Sequence, residues 1–197
     1  GQNYRALVSD RVGRTSAFER YAFMWRPDKV EALDGGRFYR DAGDSFLREP
    51  FYMSFRADKF DFTLITFHSI FGDRISQRRE EAMMLDEVYT SIQAMDPNEQ
   101  DVILLGDFNL PPDDQGFSQL VRLLTPLTTG ARHTTISENA QSLYDNIWID
   151  PEYVREYSGR HGVDDFDVTV FNNDDRAASL AVSDHRPVWA IFETSNA

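Results

Sequence analysis

A chain of 197 residues with 41% hydrophobic and 13% aromatic content can bury one sizeable core, and its length favours a single domain over residues 1–197. A net charge of −13 argues against binding nucleic acid or anionic membrane through bulk electrostatics, so action on a phosphate polymer would need a divalent cation to offset repulsion. Cysteine is absent, which excludes disulfides and thiol chemistry, and no apolar run approaches the roughly 20 residues that span a bilayer.

No basic-then-apolar leader is present, but the chain begins with Gly1, so any original leader could have been removed and the compartment stays open between secreted and cytoplasmic. Strand candidates run over 21–27, 50–57 and 60–69, each apolar or alternating and bounded by turn residues. The segment 76–96 then places Ala82, Leu85, Val88, Ile92 and Met95 three or four residues apart, which predicts an amphipathic helix laying one stripe on a sheet. Residues 101–109, DVILLGDFN, follow as a strand buried on both faces that runs straight into Gly-Asp-Phe-Asn. A shorter helix is expected over 116–124, and two more strands over 143–150 and 187–193. Strand, helix, strand in the middle of this order indicates a crossover unit, and the short turns elsewhere indicate antiparallel pairs. A mixed-sheet α/β sandwich fits best, without repeats, linkers or low-complexity stretches.

Polar residues interrupt the apolar runs at four comparable places. His68 ends one strand candidate, Asp107 and Asn109 end another, Asp184 and His185 precede the last, and Tyr144 and Asp145 open the strand at 143–150. Asp107 and Asn109 are two residues apart, so on an extended strand both side chains emerge on one side; Asp184 and His185 are adjacent and diverge. Carboxylates, an amide oxygen and two imidazoles together suit metal-assisted phosphoester hydrolysis, with oxygens for Mg²⁺ or Ca²⁺, one His as base toward water and the other as acid or phosphate donor. Each feature alone has a plainer reading: an Asx turn for Gly-Asp-Phe-Asn, a satisfied core histidine for His68, a loop cap for Ser-Asp-His. Their coincidence favours the chemical one. His133 and His161 read as exposed loop residues, and the charges of DRISQRREE as a solvated helix face.

GDFN, SDHRPV, TFHS and YDNI together resemble the endonuclease/exonuclease/phosphatase superfamily, and FERYAFMWRPDKVEALD followed by DSFLREPFYMSFRA resembles its deoxyribonuclease I-like branch. The likeness runs from about Tyr4 to the final strand. It implies a four-layer α/β/β/α sandwich of two mixed β-sheets with the site at one end of the sheets. It further implies His185 as the base, oriented by Asp145, and His68 as general acid or phosphate contact, oriented by Glu19. Asp107, Asn109 and Asp184 would bind metal, Mg²⁺ first with Mn²⁺ or Ca²⁺ as alternatives, and Asp107 and Asn109 would also hold the scissile phosphate. Arg48 and Tyr144 would contact phosphate oxygens.

Departures from the family pattern narrow the inference. The family's opening strand, helix and strand ending in a metal-binding Glu precede the segment matching Tyr4 and find no counterpart in GQNYRALVSD, so a fragment of a longer enzyme, with an uncovered sheet edge and weak or no activity of its own, is expected. Ala17 stands where the branch carries a Tyr that packs in the DNA minor groove, and the cysteine pair of secreted animal members is absent near DAGDSF. The resulting expectation is a divalent-metal-dependent phosphodiester hydrolase, foremost a nonspecific DNA endonuclease, with RNA, sphingomyelin or inositol phosphates as alternative substrates. A noncatalytic binding or scaffold protein on the same fold is the other class. No obligate protein partner is inferred, and a monomer is expected.

Overall fold

The computed structural model describes residues 3–14, 18–72, 74–130, 132–136 and 141–195. Ala17 therefore lies outside the described residues. Two short strands, β1 (Arg5–Val8) and β2 (Ala22–Trp25), form an antiparallel ribbon. A seven-stranded mixed sheet follows, built from β3 (Glu31–Ala32), β4 (Arg37–Phe38), β5 (Phe51–Ala57), β6 (Phe60–His68), β7 (Val102–Asp107), β8 (Thr125–Pro126) and β9 (Asp145–Ile149). Strands β5 and β6 pair antiparallel, β6 and β7 parallel, and β7 and β9 antiparallel, with His68 opposite Asp107 and Asp107 opposite Asp145. The parallel step is the expected crossover, made by α1 (Ile75–Ala82) and α2 (Leu85–Gln93).

The helical stripe falls where its spacing puts it. Ala82, Leu85, Val88 and Ile92 pack with Ile65, Phe67, Leu104 and Trp148 on one face of the sheet. Two details differ from the expectation over 76–96. The chain tightens at Met84, whose N–H donates to Glu81 rather than one residue further back, so two helices replace one. Met95 lies past the helix end and is exposed, its sulfur accepting from the Tyr52 hydroxyl at 3.3 Å. The helix expected over 116–124 is instead two 3₁₀ turns, Gln115–Phe117 and Leu120–Arg122, which bury Phe117 and Leu120 with too few residues for a regular α-helix.

Across the other face of the sheet lies a second β layer in two separate pieces. The β1–β2 ribbon packs Leu7, Phe23 and Trp25 against Phe51, Met53 and Phe55. A second ribbon of β10 (Tyr157–Val163) and β11 (Val188–Phe192) packs Val188, Ala190 and Phe192 against Phe60, Ile103 and Ile147. Phe62 and Leu64 belong to both contacts and are only partly buried, and a groove of about 370 Å³ lined by Phe62, Leu64, Leu105 and Ala190 opens beside β11. The sandwich of α and β layers is thus present, with the second sheet divided into two ribbons. Two short helices, α3 (Phe166–Thr169) and α4 (Asp175–Ala181), make a small separate cluster of Phe166 and Ala178 with Ile136. Leu180 and Ala181 close α4 ahead of Asp184 and His185, and Leu180 and Val182 are exposed.

Candidate active site

Gly106 explains why the apolar run ends in Gly-Asp. Its φ is +146°, and a Cβ built there would lie 1.8 Å from the carbonyl oxygen of Phe67 on the neighbouring strand, so only glycine lets β6 and β7 approach at this point. The next residues alternate in purpose. Phe108 buries its ring between Phe67 and Trp148 and donates its N–H to the Tyr144 carbonyl at 2.9 Å, which pins the strand end to the start of β9. Asp107 and Asn109 are left on either side of this anchor.

Asn109 is not on an extended strand, as the two-residue spacing implied. It has φ +50°, its N–H donates to Asp107 Oδ1 at 2.9 Å, and its side-chain amide donates to the Ser69 carbonyl at 3.0 Å. The Asx turn offered as the plain reading is therefore present, and it is this turn that keeps both residues in one cleft.

That cleft, about 660 Å³, is lined by His68, Phe71, Asp107, Asn109, Thr135, Ile136, Ser142, Tyr144, Asp145, Asp184 and His185. Strand ends β6, β7 and β9 and the loop before β11 each contribute. His68 Nδ1 lies 2.6 Å from Glu19 Oε2, and His185 Nδ1 lies 2.7 Å from Asp145 Oδ2. Because a carboxylate can only accept, each Nδ1 donates and each Nε2 is turned the other way, toward Asp107 Oδ2 at 3.5 Å from His68 and 3.9 Å from His185. Two carboxylate–imidazole pairs thus converge on one half-buried carboxylate.

The electrostatics follow from this crowding. Burial, and secondly the charge of Asp145, push the Asp107 carboxyl above its usual range. The hydrogen bond to Asp145 raises His185 to about 9, with Asp145, Asp107 and Asp184 adding to the pull and burial opposing it. Ligand atoms of Asp107, Asp145 and His185 lie within 4.8 Å of one another. Closely spaced hard oxygen donors, one of them destabilised as an anion by its neighbour, fit a Mg²⁺-like cation. Asn109 and Asp184 line the same cleft outside that tight group, and Asp145 enters it although expected only to orient His185.

Arg48 is placed differently from a cleft residue. It is buried, its guanidinium donating to the carbonyls of His68 and Ser69 at 3.1 and 3.0 Å and pairing with Glu19 at 2.8 Å, beneath the His68 pair. His133 is half-buried, with its carbonyl accepting from Arg186, and His161 sits exposed on β10 rather than in a loop.

Several supporting residues carried no sequence signal. Thr134 is fully buried; its hydroxyl accepts from the N–H groups of Tyr144 and Asp145 at 3.0 Å each, and its carbonyl accepts from Arg186 N–H, so one residue ties the Asp145 strand to the His185 loop. The Arg186 guanidinium, in the SDHRPV segment, pairs with buried Asp167 through Nε at 2.8 Å and through Nη2. Glu81, a buried residue of the supposed solvated helix face, accepts from Leu47 N–H, Ser69 Oγ and Ile70 N–H and so fixes the chain after His68.

Residues 17–185 match the profile of the Endonuclease/Exonuclease/phosphatase family. A deoxyribonuclease of Thioalkalivibrio sp. (strain K90mix) is 35% identical over 203 residues, covering 98% of this chain, and the chain spans 56% of that protein's length. Deoxyribonuclease-1 of Bos taurus is 31% identical over 201 residues, covering 94% of this chain and 68% of its own. Among solved structures, the 3′ phosphatase NExo from Neisseria bound to a product DNA hairpin superposes with a TM-score of 0.65 at 17% identity, over 96% of this chain and 79% of that one. This chain belongs to the endonuclease/exonuclease/phosphatase family, in its deoxyribonuclease I-like branch.

Proposed function

We propose that this protein is a divalent-metal-dependent phosphodiester hydrolase acting as a nonspecific DNA endonuclease. The observation that carries the reading is the pair of oriented imidazoles, His68 with Glu19 and His185 with Asp145, whose Nε2 atoms both face Asp107. A scaffold has no physical need for such crowding of ionisable groups in a cleft.

Asp107, Asn109 and Asp184 would hold the cation, Asp145 lying beside it with one oxygen engaged by His185, and the cation would supply charge stabilisation on the phosphate and relieve the repulsion between Asp107 and Asp145. His185, oriented by Asp145, takes a proton from the attacking water at Nε2 in its neutral form, which a cation beside Asp107 would favour by opposing the carboxylates that raise it to about 9. His68, held by Glu19, presents its Nε2 to the phosphate or the leaving oxygen as donor. Tyr144 and Asn109 orient phosphate oxygens. Arg48 acts from beneath, fixing Glu19 and the His68 carbonyl, a positioning role in place of the direct phosphate contact that the resemblance implies. Nicking of plasmid DNA in Mg²⁺ or Mn²⁺, lost in chelator, tests the reading.

Cation affinity is the accompanying expectation. Asp107 and Asp184 supply only two carboxylates beside the Asn109 amide, few anionic ligands to offset ion dehydration. Calorimetric titration of this chain with Mg²⁺ or Ca²⁺ is expected to show weak binding that Asp107→Ala removes. Tight stoichiometric binding that survives the substitution would place the ion elsewhere.

A further inference from the structure

Phe71 stands at the rim of the cleft and Phe18 in a second depression that shares Glu19 with the site, and each has a guanidinium against its ring. Phe71, 67% exposed, lines the cleft with His68 and Asp107, and Arg78 Cζ lies 4.8 Å from its ring centroid. Arg78 is itself fixed, donating to the carbonyls of Asn109 and Gly72, so the Phe71 ring rests on an anchored plate. Phe18, 54% exposed, has Arg11 Cζ 5.8 Å from its centroid. It shares a depression of about 440 Å³ with Arg11, Glu19 and Arg20, and Glu19 is the same carboxylate that holds His68. The two aromatic–arginine pairs therefore border the catalytic group from its Asp107 side and its Glu19 side.

Single exposed apolar residues are ordinary on protein surfaces. Two exposed rings beside the groups proposed to cleave a phosphodiester are a different matter, because every nucleobase offers a π-face that stacks on an aromatic ring without regard to sequence. Stacking also supplies what this chain lacks elsewhere, since a net charge of −13 gives no bulk attraction for a polyanion. In a duplex those base faces are covered by their neighbours; in a single strand they are free.

We propose that Phe18 and Phe71 are stacking platforms for unpaired nucleobases flanking the scissile phosphate, with Arg11 available to the adjoining backbone, so that single-stranded or locally unwound DNA is the preferred substrate. The proposal rests on the hydrolase reading above and adds the form of DNA recognised.

The test uses a phosphorothioate oligonucleotide, which resists cleavage, carrying one 2-aminopurine and titrated with this chain in Mg²⁺ at fixed salt. The expected result is quenched 2-aminopurine fluorescence and clearly tighter binding to the single strand than to its duplex. Phe71→Ala and Phe18→Ala should each weaken single-strand binding roughly tenfold, and Phe71→Trp should retain it. Both rings are exposed, so thermal unfolding of the variants should match the parent. Equal or tighter duplex binding, unchanged affinity in both alanine variants, or no binding to either form overturns the stacking proposal. Chelator-sensitive cleavage that persists alongside such a result leaves the hydrolase reading standing; absence of all phosphodiester cleavage defeats that reading separately.

Discussion

His185→Ala is expected to slow metal-dependent cleavage of plasmid DNA by roughly two to four orders of magnitude, the range associated with removing a positioned general base. The side chain is only partly buried and makes one strong contact, to Asp145, so the variant should keep its fold. Its effect on stability should instead appear as a changed pH dependence. In chelator, His185 has a folded-state value of about 9 against 6.5 for an unperturbed imidazole, so its contribution is complete below about pH 6.5 and disappears as pH rises through about 9. Denaturation of the parent should show that loss across pH 6.5 to 9, and His185→Ala should not. A variant that cleaves DNA at the parental rate would remove His185 from the chemistry.

Asp167→Ala is expected to be the most destabilising change near the site, at about 3–5 kcal/mol, because it strips the carboxylate from a largely buried guanidinium without removing the charge. Asp167 is 1% exposed and meets Arg186 in a two-pronged pair. Asp165, whose carboxylate is 3.8 Å from the same guanidinium, is half-exposed and offsets little of the loss. Arg186 follows His185 directly and its backbone N–H bonds to Thr134, so the substitution should also loosen the loop carrying Asp184 and His185. Urea denaturation measures the first effect, and a fall in activity larger than the unfolded fraction explains measures the second. A loss below about 1 kcal/mol would mean that water or a shifted Asp165 replaces the partner.

Much of the central sheet was legible because its strands are continuous apolar runs. The candidates at 50–57, 60–69, 101–109 and 143–150 contain β5, β6, β7 and β9 with only their ends trimmed. The ribbon strand β10 was not legible: Tyr157–Val163 carries two glycines, an Arg and a His, one face of it is open, and its pairing with β11 shifts register between Tyr157 and His161. Helix α4 was missed for a related reason, since DRAASLA has no apolar stripe and is started by Asp174, whose carboxylate caps Ala177 N–H. The cleft residues were legible as polar interruptions at strand ends. Their supports were not. Thr134, Glu81 and Asp167 act through hydrogen bonds to partners far along the chain, as from Glu81 to Leu47 and from Thr134 to Arg186, and no local spacing announces such partners.

The groove beside β11 bears on the expectation of an uncovered sheet. Phe62, Leu64 and Leu105, on the face of the central sheet between the two ribbons, are only partly buried, and Trp189 and Ile191 on the outer face of β11 are 41% and 37% exposed. The contact between the central sheet and the second β layer is thus only partly closed, whereas the helix-covered face has Ile65, Leu104 and Trp148 fully buried. The cleft residues His68, Asp107 and Asp145 hang from the helix-covered sheet through β6, β7 and β9, whereas Glu19 sits beside the β1–β2 ribbon and Asp184 and His185 depend on the β11 side, through the Thr134 and Arg186 bonds.

The central claim, that this cleft hydrolyses phosphodiesters with a divalent cation, is tested most directly by following supercoiled plasmid through conversion to the relaxed form in Mg²⁺ or Mn²⁺, with and without chelator. The account predicts relaxation in either metal that chelator abolishes and that Asp107→Ala and His185→Ala each suppress. A protein that unfolds cooperatively, yet leaves DNA, RNA, phospholipid and inositol phosphate substrates untouched in both metals, would contradict it and make the scaffold reading the correct one.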